Sequence, residues 1–190
     1  PPPVPSRPLL PPPTSSPDPA TMRVVLIGYR GSGKSAVGAA MATGLGLAFW
    51  DADVEIESRA GRAIEEIFAF EGEAGFRSLE REVILELSGR DGVVIAAGGG
   101  AVLDPRTRAQ WSEPGTQVIW LKATPEELAA RISEDPATSR QRPSLTGEGV
   151  LAEISSVLHQ REPLYRDCQT LTIDTSGRTI EEVAAAGVAA

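Results

Sequence analysis

A glycine-rich segment that ends in lysine and serine carries the clearest chemistry in this sequence. Residues 28–35, GYRGSGKS, match GxxxxGK(S/T) at every fixed position, with a β-branched run before them and an alanine-rich helical pattern after them. This is the strand–loop–helix context of a phosphate-binding loop. Backbone N–H groups of such a loop converge on phosphate oxygens, and the following helix adds the partial positive charge of its N-terminus. The segment therefore predicts binding of a nucleoside triphosphate rather than a glycine-rich turn that matches by chance.

The residue types in this loop suit both phosphate and magnesium. Lys34 can reach the β- and γ-phosphates, and the Ser35 hydroxyl can ligate Mg²⁺. The residues that we expect to contact the nucleotide phosphates are Gly31, Ser32, Gly33, Lys34, Ser35 and Ala36.

Two carboxylates, Asp51 and Asp53, follow the second predicted strand. Alternate positions of an extended segment point to the same side, so both carboxylates could face one site. One could hold hydrated Mg²⁺, and the other could orient and deprotonate an attacking hydroxyl. Asp53 also precedes a helical pattern, and an N-cap is the simpler interpretation of this residue taken alone.

Three further segments could bind an anionic substrate. Gly98, Gly99 and Gly100 end a predicted strand, where missing side chains allow a ligand close to the backbone, although a tight turn also explains them. Arg77 follows an aromatic residue in a helical pattern, where arginine usually lies on the surface. The arginine-rich stretch 131–142 predicts either a mobile lid that neutralises a transferring phosphoryl group or a plain charged loop.

The elements that must position these residues alternate along the chain. Five short apolar runs predict buried strands, at residues 23–27, 47–50, 93–97, 117–121 and 171–173. Helical patterns lie between them, and Thr124 and Thr179 begin capping-box sequences. Strands that alternate with helices imply a parallel sheet covered on both faces. The predicted fold class is α/β: a three-layer α/β/α sandwich with a central five-stranded parallel sheet, of the P-loop NTPase type.

Six stretches, taken in order, resemble the shikimate kinase family. They are GYRGSGKS, FWDADVEIE, GRAIEEIF with EGEAGFRSLE, AAGGGAVL, QRPSL and REPLYR, and they span residues 22 to about 175. The resemblance implies a fold like that of nucleoside monophosphate kinases, with ATP and Mg²⁺ as cofactors. It also implies transfer of the ATP γ-phosphoryl group to the 3-hydroxyl of shikimate, a step on the way to chorismate and the aromatic amino acids.

The resemblance implies a role for each matching residue. Asp53 would hold the substrate hydroxyls and serve as the base, while Asp51 would act on Mg²⁺ together with Ser35. Arg77 and Arg161 would bind the substrate carboxylate, because the planar guanidinium matches its two oxygens. The backbone of Gly98, Gly99 and Gly100 would contact substrate hydroxyls, and Arg142 would contact the transferring phosphoryl group. Arg131 and Arg178 would flank adenine. Phe68 and Phe76 would line the substrate pocket, with a place in the plain core as the alternative for either.

The bulk properties bound the domain organisation and the partners. The proline-rich residues 1–21 are expected to be a disordered segment, with a ligand for proline-recognition domains as the alternative. Residues 22–190 are expected to form one kinase domain with a lid at about 132–146.

The net charge of −8 argues against binding of nucleic acid or anionic membranes, and no apolar run approaches the roughly 20 residues of a membrane span. We expect a cytoplasmic monomer.

Two departures from the family and several alternatives stay open at this point. Residues 135–139 resemble an insertion in the lid, and Ser144 stands where leucine is frequent; both concern lid behaviour more than the reaction.

A gluconate kinase of similar fold is the nearest alternative. A GTPase would need a guanine-reading NKxD sequence, which is absent. A catalytically silent relative would be expected to have lost some of the residues named above.

Overall fold

A five-stranded parallel sheet forms the centre of the computed structural model, which describes residues 21–134 and 149–190. Its strands run in the order β2-β3-β1-β4-β5. They are β1 (Arg23–Ile27), β2 (Ala48–Asp51), β3 (Val93–Ala96), β4 (Thr116–Lys122) and β5 (Leu171–Asp174). Each predicted strand is present with bounds shifted by two residues or fewer at either end. The predicted sheet is therefore confirmed.

The helices of the described residues cover both faces of the sheet. They are α1 (Lys34–Leu45), α2 (Ala52–Ala60), α3 (Ile64–Ser88), α4 (Pro105–Trp111), α5 (Pro125–Glu134), α6 (Val150–Cys168) and α7 (Ile180–Val188), and a 3₁₀ turn spans Ala101–Leu103. Gly72 interrupts α3 with a φ of 69°. None of the helices in the described ranges is long and apolar enough to cross a membrane.

The central strand β1 shows why this sequence forms a three-layer structure. Val24 and Leu26 point into the core beneath α1 and α7, while Val25 and Ile27 point into the core beneath α2, α3 and α4. All four are buried. Successive side chains of a strand point to opposite faces, so an uninterrupted apolar run is what a strand covered on both sides requires. The predicted sandwich is confirmed on this evidence.

An ion network on the surface holds α2 against α3, the two helices that carry much of the candidate site. The Arg59 guanidinium binds Glu55 on its own helix at 2.7 Å and Glu86 on α3 at 2.7 Å. Arg90 also binds Glu86 at 2.7 Å, and its guanidinium carbon lies 4.3 Å from the centre of the Trp50 ring of β2. The network therefore joins three elements around one carboxylate.

Two expectations fall on residues that the structure does not describe. The proline-rich segment lies outside the described residues up to residue 20, and most of the expected lid lies outside them as well. Ile132 to Glu134 are described as the end of α5.

Candidate active site

The phosphate-binding loop joins β1 to α1 and depends on glycine at three positions. Gly28, Gly31 and Gly33 have φ values of 141°, 79° and 90°, in the region that side chains disfavour. A Cβ atom at Gly28 would also lie 2.5 Å from the carbonyl oxygen of Leu121. The predicted strand–loop–helix arrangement is present. Ser32 is buried within it, and its hydroxyl has no hydrogen-bond partner in the part of the chain described here.

The side chain of Lys34 folds back over this loop. Its Nζ donates to the carbonyl oxygens of Gly28 at 3.0 Å and of Tyr29 at 2.8 Å. These contacts hold the ammonium group against the loop, beside the N-terminus of α1. Lysine at this position supplies the positive charge that an anionic phosphate needs.

Asp51 connects the end of β2 both to α1 and to α2. Its Oδ1 accepts from the backbone N–H of Asp53 at 3.0 Å and of Val54 at 3.4 Å, which makes Asp51 the N-cap of α2. Its Oδ2 accepts from the Ser35 hydroxyl at 2.5 Å. Since capping fixes one carboxylate oxygen, the other is held facing the phosphate-binding loop.

This geometry corrects two expectations about the aspartate pair. The helix N-cap is Asp51, so the N-cap interpretation of Asp53 is wrong. The segment is not extended either, because Ala52 begins α2. Asp53 nonetheless faces the same edge of the sheet: its Oδ1 would lie 3.3 Å from a Cβ atom built on Gly98. Asp51 and Asp53 therefore both lie at the carboxyl edge of the sheet, although the segment is helical from Ala52 onward.

The three consecutive glycines after β3 form the floor of the site. A Cβ atom at Gly98 would lie 2.3 Å from Oε1 of Glu80, and one at Gly100 would lie 2.3 Å from Nη1 of Arg77. At Gly99 it would lie 3.3 Å from the Gly28 carbonyl oxygen of the phosphate-binding loop. A side chain at Gly98 or Gly100 would displace a charged group, so close approach, and not only a tight turn, explains these glycines.

Arg77 reaches this floor from α3 between two carboxylates. Its Nη1 contacts Oε2 of Glu80 at 2.5 Å, and its Nη2 contacts Oε1 of Glu73 at 3.3 Å. Burial works against the charge of Arg77, but the two carboxylates outweigh it, and the pKa of the guanidinium lies above its ordinary value. Arg77 also lines a cavity of about 290 Å³. Arg77 is therefore a half-buried residue beside Gly100 and not a plain surface arginine.

Arg161 reaches the same floor from α6 on the opposite side. It is 8% exposed, and its Nη1 donates to the Gly99 carbonyl oxygen at 3.0 Å. The Tyr165 hydroxyl, one turn further along, donates to the same oxygen at 2.6 Å. Three successive residues extend over only about 7 Å of backbone, so Asp53, Arg77 and Arg161 all lie against one short segment next to the phosphate-binding loop.

Two other arginines lie at the loop that follows β5. Arg131 of α5 donates from Nη1 to the Thr175 hydroxyl and from Nη2 to the Thr175 carbonyl oxygen, both at 2.9 Å. Arg178 donates to the carbonyl oxygen of Glu182 at 3.0 Å. Both lie at the carboxyl edge of the sheet, where ligands of parallel α/β proteins bind. Arg142 lies outside the described residues.

Sequence reasoning missed two residues of the site. Glu80 is 2% exposed, binds Arg77 and leaves Oε1 without a hydrogen-bond partner among the residues described. Its position three residues after Arg77 on a helix is the spacing of an ion pair, and that signal could have identified it. Tyr165 lies one helical turn after Arg161, on the same face of α6. Of the two phenylalanines expected at the substrate pocket, Phe76 is fully buried and Phe68 stacks on it with ring centres 4.6 Å apart.

Known proteins match this chain over most of its length. The family model described as shikimate kinase matches residues 30–190. The chain belongs to the shikimate kinase family. A shikimate kinase of Rhodopirellula baltica is 45% identical over 158 residues, which cover 83% of this chain and 84% of that protein. One of Thermobifida fusca is 42% identical over 160 residues, which cover 84% and 89%.

Solved structures agree with this family membership. The shikimate kinase of Acinetobacter baumannii in complex with shikimate superposes with a TM-score of 0.82 at 33% identity, covering 88% of this chain and 91% of that one. A gluconokinase of Sinorhizobium meliloti superposes with a TM-score of 0.57 at 19% identity, covering 90% and 93%. At that identity the second likeness shows only the shared P-loop kinase fold. As a member of the shikimate kinase family, the chain is an ATP-dependent phosphotransferase.

Proposed function

We propose that this member of the shikimate kinase family transfers the γ-phosphoryl group of ATP to the 3-hydroxyl of shikimate, giving shikimate 3-phosphate and ADP. The observation that carries the proposal is the glycine floor. It places a candidate base, Asp53, and two buried or half-buried arginines around one region that adjoins the phosphate-binding loop. This set of groups suits an acceptor that has both a hydroxyl and a carboxylate.

Each group at the floor has a separate task in the proposed reaction. Arg77 and Arg161 bind the acceptor carboxylate and so fix the position of the ring. The Asp53 carboxylate accepts the proton of the attacking hydroxyl, whose oxygen forms the new bond to phosphorus while ADP leaves. The backbone of Gly98, Gly99 and Gly100 contacts substrate hydroxyls. Glu80 acts through Arg77, because the contact between them holds the guanidinium at the floor.

The nucleotide is held by the loop and by groups at the carboxyl edge of the sheet. The phosphates lie on the backbone of Gly31, Ser32 and Gly33, with the side chains of Lys34 and Ser35 and the N-terminus of α1 at Ala36. Arg131 and Arg178 flank adenine. We retain Arg142 as the residue that contacts the transferring phosphoryl group and place the lid at about 132–146; both proposals rest on the family resemblance.

Mg²⁺ fits the groups that meet between α1 and β2. The Ser35 hydroxyl and the Asp51 Oδ2 atom lie 2.5 Å apart, and oxygen donors of these two kinds are what Mg²⁺ prefers. The described ranges contain no cluster of three or more His, Cys, Asp or Glu side chains suited to a metal, and Mg²⁺ usually retains waters and binds substrate phosphates as well. When bound, the ion neutralises charge on the phosphate oxygens. We propose Ser35 and Asp51 as its protein ligands.

We further propose that the enzyme acts as a cytoplasmic monomer on a folded domain of residues 22–190. Every residue to which we assign a role belongs to one chain, and no role needs a second copy. The cytoplasm supplies the ATP that the enzyme consumes, which favours this location.

Release of ADP tests the substrate assignment. With ATP and Mg²⁺ present, a coupled assay should show turnover with shikimate and little or none with gluconate, quinate or no acceptor. Turnover with gluconate instead would replace the proposed acceptor with that of a related kinase. ATP binding without turnover on any of these acceptors would favour a silent relative.

A further inference from the structure

Glu127, in the first turn of α5, joins that helix to the loop that follows β5. Its Oε2 accepts from the backbone N–H of Thr124 at 3.2 Å, which caps α5, and from the Ser176 hydroxyl at 2.5 Å. Its Oε1 accepts from the backbone N–H of Gly177 at 3.2 Å. One carboxylate therefore caps its own helix and also binds two consecutive residues of another segment. Capping alone does not require the second set of contacts.

A second tether lies one helical turn further along α5. Arg131 makes two hydrogen bonds to Thr175, through the hydroxyl and the carbonyl oxygen. Thr175 is 3% exposed, and its own N–H and hydroxyl donate to the Lys122 carbonyl oxygen at the end of β4. The residues 175–177, which we call the β5 loop, are thus held by side chains from two successive turns of α5.

The same helix packs against the phosphate-binding loop. A Cβ atom at Gly31 would lie 3.0 Å from Cγ1 of Ile132 and 3.5 Å from the Leu128 carbonyl oxygen, both of α5. The helix therefore contacts the loop that receives the phosphates with one part of its surface and the β5 loop with another. It links these two segments by direct contacts to both.

We propose that Glu127 is a positioning residue for the nucleotide base. It holds the β5 loop in place relative to the phosphate-binding loop, so that the surface beside the base is ordered before the nucleotide binds. The inference rests on the proposed binding of ATP with its base beside Arg131 and Arg178. Glu127 does not need to touch the nucleotide. Its effect is to remove the cost of ordering the β5 loop when the nucleotide binds, as preorganisation does in general.

Calorimetric titration without any acceptor isolates this role. Glu127→Gln retains the size of the side chain but turns one oxygen acceptor into an N–H donor, so the backbone N–H groups of Thr124 and Gly177, which face different oxygens, cannot both keep their acceptor. We expect the affinity for ADP and ATP to fall about tenfold, the value of one hydrogen bond to a charged group. The affinity for inorganic tripolyphosphate, which has no base, should stay at the wild-type value.

A second variant keeps the test independent of the helix cap. Ser176→Ala removes a donor to Glu127 but leaves the capping of α5 intact, and it should weaken ADP binding in the same direction. The double variant should be no weaker than Glu127→Gln alone by more than about twofold, because the two changes break one shared contact. In coupled assays, the KM for ATP should rise while the KM for shikimate stays unchanged.

Two control variants separate positioning from general effects. Glu126→Gln removes the same charge from the same turn of α5 and should leave ADP binding unchanged. Glu66→Gln removes a capping carboxylate of the same kind, since Glu66 accepts from the Ala63 N–H at 3.1 Å, but on α3. It should lower the melting temperature without a change in ADP affinity.

Three results would overturn the inference. ADP affinity could be unchanged in both Glu127→Gln and Ser176→Ala, the loss could be equal for ADP and tripolyphosphate, or Glu126→Gln could weaken ADP as strongly. None of these measurements uses shikimate. A failure of the proposed acceptor in the ADP-release assay would therefore leave the result for Glu127 standing, and the two failures are distinguishable.

Discussion

At the scale of single residues, the proposed reaction assigns proton transfer and orientation to different side chains beside the glycine floor. Asp53 has the chemistry of a base, whereas Arg77 and Arg161 are permanent cations that can only bind and orient. Glu80 is buried beside Arg77 and has one oxygen without a hydrogen-bond partner in the described ranges. A buried carboxylate of this kind is tolerated because the guanidinium neutralises it.

Asp53→Asn should lower kcat by about a hundredfold to ten-thousandfold, the range expected for loss of a general base. The amide has nearly the same shape but cannot accept the proton of the hydroxyl. The Kd for ATP should remain close to that of the wild type, since the phosphates bind elsewhere. Coupled ADP release and a separate nucleotide titration measure the two quantities. Unchanged turnover would remove Asp53 from the role of base.

Gly100→Ala should raise the KM for shikimate, and in the same direction as Arg77→Ala. The added Cβ atom would lie 2.3 Å from Nη1 of Arg77, so the guanidinium has to leave its position at the floor. Gly44→Ala is the matched control, because its Cβ atom would meet only Cγ2 of Val188 at an ordinary 3.4 Å. Steady-state kinetics on both variants would show the difference, and an equal effect at both positions would contradict this account.

At the scale of elements, α2 and α3 must keep fixed positions relative to each other, because Asp53 lies on α2 and Arg77 on α3. The ion network around Glu86 contributes to holding the two helices together. Hydrogen bonds from Arg59 and then Arg90 hold the pKa of Glu86 at about 2, below its ordinary 4.5. A lowered carboxylate pKa means stability that is fully present above pH 4.5 and is lost as pH falls through about 2.

Glu86→Gln should therefore lower the melting temperature at neutral pH, and the difference from the wild type should shrink as pH falls from 4.5 toward about 2. The effect should be small and reduced by salt, because the Glu86 side chain is 49% exposed. Thermal melts across this pH window at low and high salt measure both dependences. A difference that is constant with pH would mean that Glu86 acts through packing rather than charge.

The sequence predicted the elements better than it predicted their junctions. Apolar runs and the phosphate-binding motif were enough to place five strands and α1, because both depend on local pattern. The sequence offered Asp53 as a possible N-cap of α2 where the structure has Asp51, because a strand that passes directly into a helix leaves no loop residues to mark the boundary. Glu80 was missed although its spacing from Arg77 is a local signal, because only the fold brings its carboxylate beside Gly98, which is distant in sequence.

At the scale of the whole molecule, the charge is distributed unevenly. The chain carries a net charge of −8, yet Lys34, Arg77 and Arg161 converge on one edge of the sheet. In the proposed reaction an anionic acceptor and a nucleoside triphosphate thus meet three cations there, although the carboxylates of Asp53 and Glu80 lie beside them. The general acidity favours solubility and disfavours binding to other polyanions.

A variant that begins at Met22 should retain the kcat and both KM values of the full chain. The first strand begins at Arg23, and the preceding residues are rich in proline, which removes backbone donors. Kinetics and thermal melting of the two forms would test the assignment of residues 22–190 as the folded domain. A large loss of activity or stability in the shorter form would show that the first 21 residues belong to it.

The glycine floor also restricts how this enzyme can diversify. Most binding pockets change their ligands by exchange of side chains, but Gly98, Gly99 and Gly100 have none to exchange, and added atoms at two of them would meet charged groups. New acceptor preferences, whether selected in nature or in the laboratory, must therefore arise from the surrounding helices. In a redesign of the acceptor site, Gly98, Gly99 and Gly100 would therefore have to be kept as glycine.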